Sequence, residues 1–332
     1  MVVASKYPLK VGIFGAGYMG QSHARIISSQ ENVELTSIAD LDLTKSRKVA
    51  HQYKIEAYSN YRDLLKKEKI DAAVIALPTN LHFEAAKETL IRGIVTFIEK
   101  PIAQNTTEAA KLLNIVKKLK TPAMVGHIER FNPVVNEIEQ RIASKEIGKV
   151  LQIHTQRFSP PTGRVKDVSA IIDLATHDID IIRYLLKDNP EKIYSETHKH
   201  FYDKEDFMSA LLRFKKGTIG LIEVSWLHPM KIRNLTVLGE YGMYKADYLS
   251  QELYFYRQNT SHKNNNKFLS SSKADVIKIG FESKEPLQLE LEAFLNAIRF
   301  RLQMPVTIQD GFEALKIAEK LVVSGQLTKA RK

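Results

Sequence analysis

The stretch VGIFGAGYMGQSHAR, Val11 to Arg25, decides the fold. A short apolar run, Val11 to Phe14, leads into Gly15, Gly17 and Gly20, and helix-forming sequence follows. This is G-x-G-x-x-G between a strand and a helix. Each glycine has its own physical reason. Gly15 permits the tight turn out of the strand, Gly17 lets backbone N–H groups approach a pyrophosphate, and Gly20 lets the helix pack closely on the strand. The positive end of the helix dipole then faces the phosphates. The context suits the motif. Val33 to Ala39 (VELTSIA) reads as a second strand, and Asp40 at its end can accept hydrogen bonds from both hydroxyls of an adenosine ribose. The alternative is a glycine-rich turn that binds nothing.

The chain has 332 residues, enough for two domains, and 44% of them are hydrophobic, enough to bury substantial cores. It contains no cysteine, which excludes disulfides, cysteine nucleophiles and thiolate metal sites. The N-terminal apolar residues run into the glycine loop with no charged region or cleavage site before them, and no stretch is long and apolar enough to span a membrane. The expectation is a soluble, cytoplasmic protein with no membrane partner. The formal net charge is +11, much of it in short runs: Lys66, Lys67 and Lys69; Lys117, Lys118 and Lys120; and Lys329 to Lys332. The bland reading is a solvated basic surface. No helix-turn-helix, zinc finger or RNA-binding aromatic motif accompanies these runs, so nucleic acid is not an expected partner. A basic surface still favours an anionic small substrate.

The first third alternates strand and helix. A helix is predicted from about Leu43 to Gln52. Asp71 to Leu77 (DAAVIAL) is a nearly continuous apolar run, as expected for a parallel strand buried on both faces. Pro78, Thr79 and Asn80 break the chain, and Leu81 to Arg92 is helical. Ile94 to Ile98 is another buried strand ending in Glu99, Lys100 and Pro101. Thr106 to Leu119 is an amphipathic helix. Pro122 to Val125 reads as a sixth strand. The order predicts a doubly wound parallel sheet with right-handed crossovers. From about Gly126 the grammar changes. A helix (Pro133 to Ile142), a strand (Lys149 to Phe158) and a mostly apolar helix (Ala170 to Leu186) precede a run of strands: Lys192 to Phe201, Met208 to Phe214, Thr218 to Trp226, Ile232 to Leu238, Gly242 to Asp247 and Glu252 to Tyr256. That is a meander, so a largely antiparallel open sheet is expected. Gln258 to Lys273 reads as a mobile loop, and helices at about Leu287 to Arg301 and Asp310 to Gly325 close the chain.

Ligands of open parallel sheets bind at the carboxyl ends of the strands. The glycine loop, Asp40, Pro78–Thr79–Asn80 and Glu99–Lys100–Pro101 all fall there. A lysine just past a buried strand, pinned by a following proline, can stabilise a developing alkoxide; it can equally be an ordinary solvated lysine. The helix Ala170 to Leu186 supplies a second constellation. Asp173, His177, Asp180 and Tyr184 follow i, i+4, i+7, i+11 spacing and share one face. Histidine is the natural base for a hydroxyl proton near neutral pH, and Asp173 can orient its ring. The alternatives are a satisfied core histidine or a metal pair using His177 and Asp178. The metal reading lacks further ligands, so no metal is expected. His23 and His82 read as packing or cofactor-shell residues.

With these motifs in hand the chain resembles the glucose–fructose oxidoreductase, inositol dehydrogenase and rhizopine-catabolism (Gfo/Idh/MocA) family over nearly its whole length. The resemblance rests on Gly15 to Gly20, on Pro78 to His82 (PTNLH), on Glu99–Lys100–Pro101 and on Asp173-x-x-x-His177. It implies an NAD(P)-binding Rossmann domain over residues 1–126. It implies a substrate-binding and oligomerisation domain over residues 127–332, an α/β domain with an open antiparallel sheet through which members form homodimers or homotetramers. It implies Lys100, Asp173 and His177 as catalytic residues. The cofactor would be held by Gly15, Gly17, Tyr18, Met19, Gly20, Asp40, Pro78, Thr79, Asn80, His82, Glu99 and Lys100. Gly126 to Pro133 (GHIERFNP) and Asp173 to Asp180 (DLATHDID) are similar to a subgroup that includes UDP-N-acetylglucosamine 3-dehydrogenases. Thr176 departs from the isoleucine expected there, a minor difference on the helix surface.

The reading is therefore an NAD(P)-dependent dehydrogenase of a sugar hydroxyl, on a nucleotide sugar such as UDP-N-acetylglucosamine at its 3-hydroxyl. Asp40 would repel a 2′-phosphate and no arginine immediately follows it, so NAD is expected over NADP. Arg130, Asn132, Arg157 and Arg164 are candidate substrate residues, since arginine forks suit phosphate oxygens; for each arginine the alternative is a surface ion pair. Rival readings are a free-sugar or polyol dehydrogenase and a non-catalytic NAD(P)-binding regulator. The proton-transfer set Lys100, Asp173 and His177 argues against the regulator.

Overall fold

In the computed structural model, which describes residues 8–161, 168–258 and 275–329, contacts divide the chain into two units. One is Met1–Ile128 with Glu285–Lys316; the other is Glu129–Lys284 with Ile317–Lys332.

The first unit begins with β1 (Leu9–Phe14), α1 (Tyr18–Ile27), β2 (Val33–Ala39), α2 (Leu43–Tyr53), β3 (Glu56–Tyr58), α3 (Tyr61–Lys67) and β4 (Ala72–Ile75). It continues with α4 (His82–Ile91), β5 (Val95–Glu99), α5 (Thr106–Leu119) and β6 (Ala123–Gly126). The six strands pair in parallel in the order β3-β2-β1-β4-β5-β6. This is the doubly wound sheet that the alternation demands, with the order reversing at β1. Every residue of β4 is buried, as a run covered by helices on both faces requires. β3 and α3 are not among the elements expected from the sequence. β3 is three residues long and lacks any buried position, so it carries no periodic signal; it is also the strand that makes β6 the sixth. α3 starts where the Asn60 side chain accepts the Arg62 N–H, a cap of the usual kind.

The second unit contains α6 (Pro133–Ala143), β7 (Val150–Phe158), a π-helical turn (Ile171–Ala175), α7 (Thr176–Leu186), β8 (Pro190–His198), β9 (Phe207–Phe214) and β10 (Ile219–Ser225). Then follow β11 (Ile232–Gly239), β12 (Gly242–Asp247), β13 (Glu252–Arg257) and β14 (Asp275–Ile279). The eight strands run β14-β13-β12-β11-β7-β10-β9-β8. The sheet is not one meander: β8–β10 and β11–β14 are two antiparallel meanders on either side of β7, and β7 pairs with β10 in parallel. Period-2 burial is clear on β11, where Arg233, Leu235 and Val237 are buried while Ile232, Asn234 and Thr236 are not. The π-helical turn and α7 pack on the face of β7 and β10. The other face shows Tyr194, Phe207, Leu211 and Leu238 at its surface. The loop expected at Gln258 to Lys273 lies, beyond Gln258, outside the described residues.

The closing helices are α8 (Pro286–Arg299) and α9 (Ile308–Lys329). The sequence places both in the second domain, yet α8 and the start of α9 group with the first unit. The reason is packing. Phe294 meets Phe97 edge-on at 5.5 Å, and the Val125 N–H bonds the Val306 carbonyl at 3.2 Å. Among the described residues no helix is long and apolar enough to cross a membrane.

The packing of α1 on β1 yields a stability test. A Cβ on Gly20 would lie 1.9 Å from the Gly15 carbonyl oxygen, a backbone atom that cannot step aside. Gly20→Ala should cost about 1–3 kcal/mol or more, the range for overpacking a tight core. Denaturant midpoints measure it; an unchanged midpoint would contradict the close packing.

Candidate functional site

The glycine loop has the form its sequence requires. Gly15 has φ +104°, and a Cβ there would sit 2.3 Å from the Ala76 carbonyl oxygen. Gly17 faces open space, and a Cβ added there would meet nothing within 4 Å. Gly17 is also the N-cap of α1 and provides no side-chain cap. An exposed helix start with a glycine and no capping side chain fits a pyrophosphate. Tyr18 is exposed and Met19 half-buried beside it. Asp40 does more than the sequence suggests. Its Oδ2 accepts the Ala16 N–H at 2.7 Å and its Oδ1 the Asp42 N–H at 2.9 Å. One carboxylate thus braces the glycine loop, and its remaining lone pairs are available for ribose hydroxyls.

Two buried histidines brace the turn that carries Lys100. His23, on α1, places Nε2 2.8 Å from Glu99 Oε1, while Glu99 Oε2 accepts the Lys100 N–H at 3.2 Å. Burial alone would raise the Glu99 carboxyl. The His23 hydrogen bond, with the charges of His23, Lys100 and His82, outweighs it and holds the carboxyl below the ordinary carboxylate range. On the other side, His82 Nδ1 lies 2.8 Å from the Pro101 carbonyl oxygen and Nε2 2.8 Å from the Leu77 carbonyl oxygen. His82 thereby ties the Pro78 segment to the Lys100–Pro101 turn. In that segment Thr79 is buried, while Asn80 is exposed and Pro78 faces the surface. Lys100 is half-buried at the carboxyl end of β5.

In the second unit Asp173 lies on the π-helical turn, and His177 follows one residue into α7; both are half-buried. Single π turns recur at functional sites. Asp173 is close enough to Arg233 to act on its charge: burial and Arg157 lower the Arg233 guanidinium to about 10, against the pull of Asp178, Glu129 and Asp173. The rest of the expected polar stripe pairs internally. Asp180 is buried and takes both Nε (2.7 Å) and Nη2 (2.6 Å) of Arg130. The same guanidinium lies 5.0 Å over the Tyr184 ring. Thr176 is not on the helix surface as expected; it is buried, and its hydroxyl donates to the Ile172 carbonyl.

The arginines expected at substrate phosphates are placed differently. Arg157 is 4% exposed; Nε and Nη2 reach Asp178 at 3.0 and 3.1 Å, and Nη1 reaches Glu129 at 2.8 Å. Burial works against its charge, but Asp178 and Glu129 hold it charged. Arg130 and Arg157 therefore direct their forks at carboxylates inside the second unit. The ion-pair alternative is right about the pairing, though the pairs are buried rather than on the surface. The pairing also commits Asp178, which the metal reading needed. Asn132 caps α6, accepting the Val134 N–H at 3.3 Å and donating to the Tyr248 carbonyl at 3.3 Å. Arg164, with Lys166, lies outside the described residues.

One feature of the first unit is missed by reading the sequence. A cleft at the carboxyl end of β2 is lined by Asp40 together with Asn60, Tyr61 and Arg62. Its signal is the capping pattern Asn60-x-x-Asp63, which marks a helix start.

The Glu99 environment generates a pH test. Its folded value is depressed, so the carboxylate stabilises above the ordinary value of 4.5 and that contribution is lost as pH falls through the folded value. Glu99→Gln should therefore be less stable than the unmodified chain near neutrality, with the gap closing in acid. A gap constant from neutral to acid pH would contradict the pairing.

Comparison with known proteins supplies the remaining context. The model of an oxidoreductase family with an NAD-binding Rossmann fold, GFO_IDH_MocA, matches residues 9–127, and a GFO/IDH/MocA C-terminal domain matches residues 135–245. UDP-N-acetylglucosamine 3-dehydrogenase of Acidithiobacillus ferrooxidans is 24% identical over 87% of this chain and 88% of its own length. Its solved structure superposes with TM-score 0.84, covering 96% of this chain and 98% of that one at 23% identity. Inositol 2-dehydrogenase/D-chiro-inositol 3-dehydrogenase of Lactiplantibacillus plantarum is 29% identical over 56% of this chain and 55% of its own. The structure of levoglucosan dehydrogenase in complex with NADH and levoglucosan superposes with TM-score 0.85 at 20% identity, covering 96% and 98%. With both of its parts matched and its glycine loop, lysine turn and Asp173–His177 segment in place, the chain belongs to the Gfo/Idh/MocA family of oxidoreductases.

Proposed function

We propose that the chain is an NAD-dependent dehydrogenase that oxidises a ring hydroxyl of a nucleotide sugar to a ketone, with the 3-hydroxyl of UDP-N-acetylglucosamine as its substrate. The observation that carries the dehydrogenase reading is the braced Lys100 turn at the mouth of the parallel sheet. Two buried histidines and a buried carboxylate hold one short turn, an investment that a passive nucleotide-binding regulator has no use for. What supports the sugar nucleotide is likeness to the Acidithiobacillus enzyme over most of both chains, together with the net charge of +11, which favours approach of a diphosphate.

The bound nicotinamide would supply the acceptor for the two electrons and the hydrogen that leave the carbinol carbon. Gly15, Gly17 and Gly20 provide the pyrophosphate cradle, and Asp40 the ribose acceptor. His177 takes the hydroxyl proton, Asp173 orients or tunes it, and Lys100 stabilises the alkoxide oxygen. Asp40 disfavours a 2′-phosphate, which makes NAD the preferred cofactor. The open face of the eight-stranded sheet, with Tyr194, Phe207, Leu211 and Leu238 exposed on it, is where a second copy of the chain would dock to form a dimer or tetramer.

One observation favours a second reading. With the Arg130 and Arg157 forks engaged by Asp180 and Asp178, neither is open to a diphosphate, and a neutral polyol, as in the inositol dehydrogenases, needs no such grip.

The assay is NADH appearance with UDP-N-acetylglucosamine, free N-acetylglucosamine, myo-inositol and glucose, with a ketone trap pulling the equilibrium. The nucleotide sugar should have by far the highest kcat/KM. Turnover of inositol or glucose with none on any nucleotide sugar would overturn the substrate and select the polyol reading. Lys100→Met and His177→Ala should each lower turnover by about 10² to 10⁴-fold, the contribution of a positioned acid–base group, while His177→Ala still binds NAD. Near-full turnover by the His177 variant across pH would require another base. Sedimentation equilibrium should give a dimer or tetramer; a monomer at assay concentration would remove the docking role of the open face.

A further inference from the structure

The cleft at the carboxyl end of β2 combines an apolar wall with two opposed charges. Ala39, Leu77 and Leu81 form the wall, and Tyr61 adds an aromatic ring. That ring is 8% exposed and stacks on Phe14 with centroids 5.2 Å apart, so it is fixed in the core. Asp40 and Arg62 line the same cleft. Arg62 is held in two ways: its guanidinium lies 4.9 Å over the Tyr61 ring, and its Nε donates to Glu88 Oε1 at 3.1 Å. The Glu88 bond uses Nε alone and leaves the N–H groups of the two terminal nitrogens for a ligand. The side chain is 47% exposed, so it can be reached from solvent without unfolding α3.

We propose that Arg62 is a specificity-determining residue of the dinucleotide cleft, the group that meets a phosphate on the adenosine 2′-hydroxyl, and that Asp40 opposes it. The proposal rests on the reading of Asp40 as the ribose acceptor. Cofactor choice is then a contest between two side chains in one cleft. The carboxylate repels the extra phosphate, and the guanidinium, pre-oriented by the tyrosine ring and by Glu88, attracts it. Inspection of the residues just after Asp40 misses this cation, because β3 and α3 return the chain to the cleft a strand and a helix later. Arginine suits the role better than lysine, since its planar fork can give two N–H bonds to one phosphate.

The test titrates the full chain with ADP-ribose and 2′-phospho-ADP-ribose, probes that need no turnover, and reads dissociation constants calorimetrically. Asp40→Ala should tighten the phosphorylated probe. Adding Arg62→Ala or Arg62→Gln to Asp40→Ala should weaken it again by roughly ten- to a hundredfold, the range of a charge-assisted hydrogen bond, and Arg62→Lys should retain part of the gain. The Arg62-dependent part should shrink with added salt. Equal affinity for 2′-phospho-ADP-ribose in Asp40→Ala with and without Arg62 would overturn the proposal. If Asp40→Ala changes neither affinity while Arg62→Ala still weakens the phosphorylated probe, Arg62 keeps its role and the reading of Asp40 fails. Thermal midpoints of the Arg62 variants, read beside the titrations, confirm that each is folded.

Discussion

The contact between Gly20 and the Gly15 carbonyl oxygen sets the rest of the first unit. With no room for a Cβ, α1 lies as close to β1 as a backbone can, and its start points at the loop. Three residues further along α1 is His23, so the same packing delivers an imidazole to Glu99 at 2.8 Å. Glu99 in turn holds the backbone of Lys100. One helix placement thus fixes both the glycine loop and the turn of the candidate catalytic lysine. Asp40 ties in β2 through the Ala16 N–H, and His82 ties in the segments after β4 and β5. The punctuations at the carboxyl ends of four strands form one hydrogen-bonded assembly.

The second unit is organised by ion pairs instead. Arg157 and Arg130 seize Asp178 and Asp180, the residues either side of Ile179 on α7. Removing one partner of a buried pair typically costs about 3–5 kcal/mol, because the other charge is left uncompensated. These forks therefore hold the helix that carries His177. The neighbouring π-helical turn that carries Asp173 is a departure from α-helix in an otherwise well-covered segment. Hydrogen bonding by Thr176 back to Ile172 supplies a polar partner within that turn.

The fold is legible in the sequence wherever burial imposes a period. Val33–Ala39, Thr106–Leu119 and Gly242–Asp247 have the bounds their patterns predict, because a buried face or a continuous apolar run leaves no other choice. β3, with no buried position and three residues, leaves no pattern to read. The insertion of β7 between two meanders is a long-range pairing that no local pattern encodes. Glycine positions and the Glu99–Lys100–Pro101 turn are legible because backbone chemistry demands those residue types there. The arginines mislead for the opposite reason: composition shows a charge but not its partner, and Asp178 and Asp180 are far from Arg157 and Arg130 in the chain. Thr176 reads as a surface residue because a polar side chain on an apolar helix looks exposed unless its own backbone satisfies it.

The central claim is oxidation of a ring hydroxyl on a nucleotide sugar, and the composition of the product tests it most directly. UDP-N-acetylglucosamine incubated with the protein and NAD, then analysed by mass spectrometry, should yield a species lighter by two hydrogens. Reduction of that species with borodeuteride should return a single deuterium to ring carbon 3. Recovery of the nucleotide sugar at unchanged mass, under conditions where the protein binds NAD, would contradict the account.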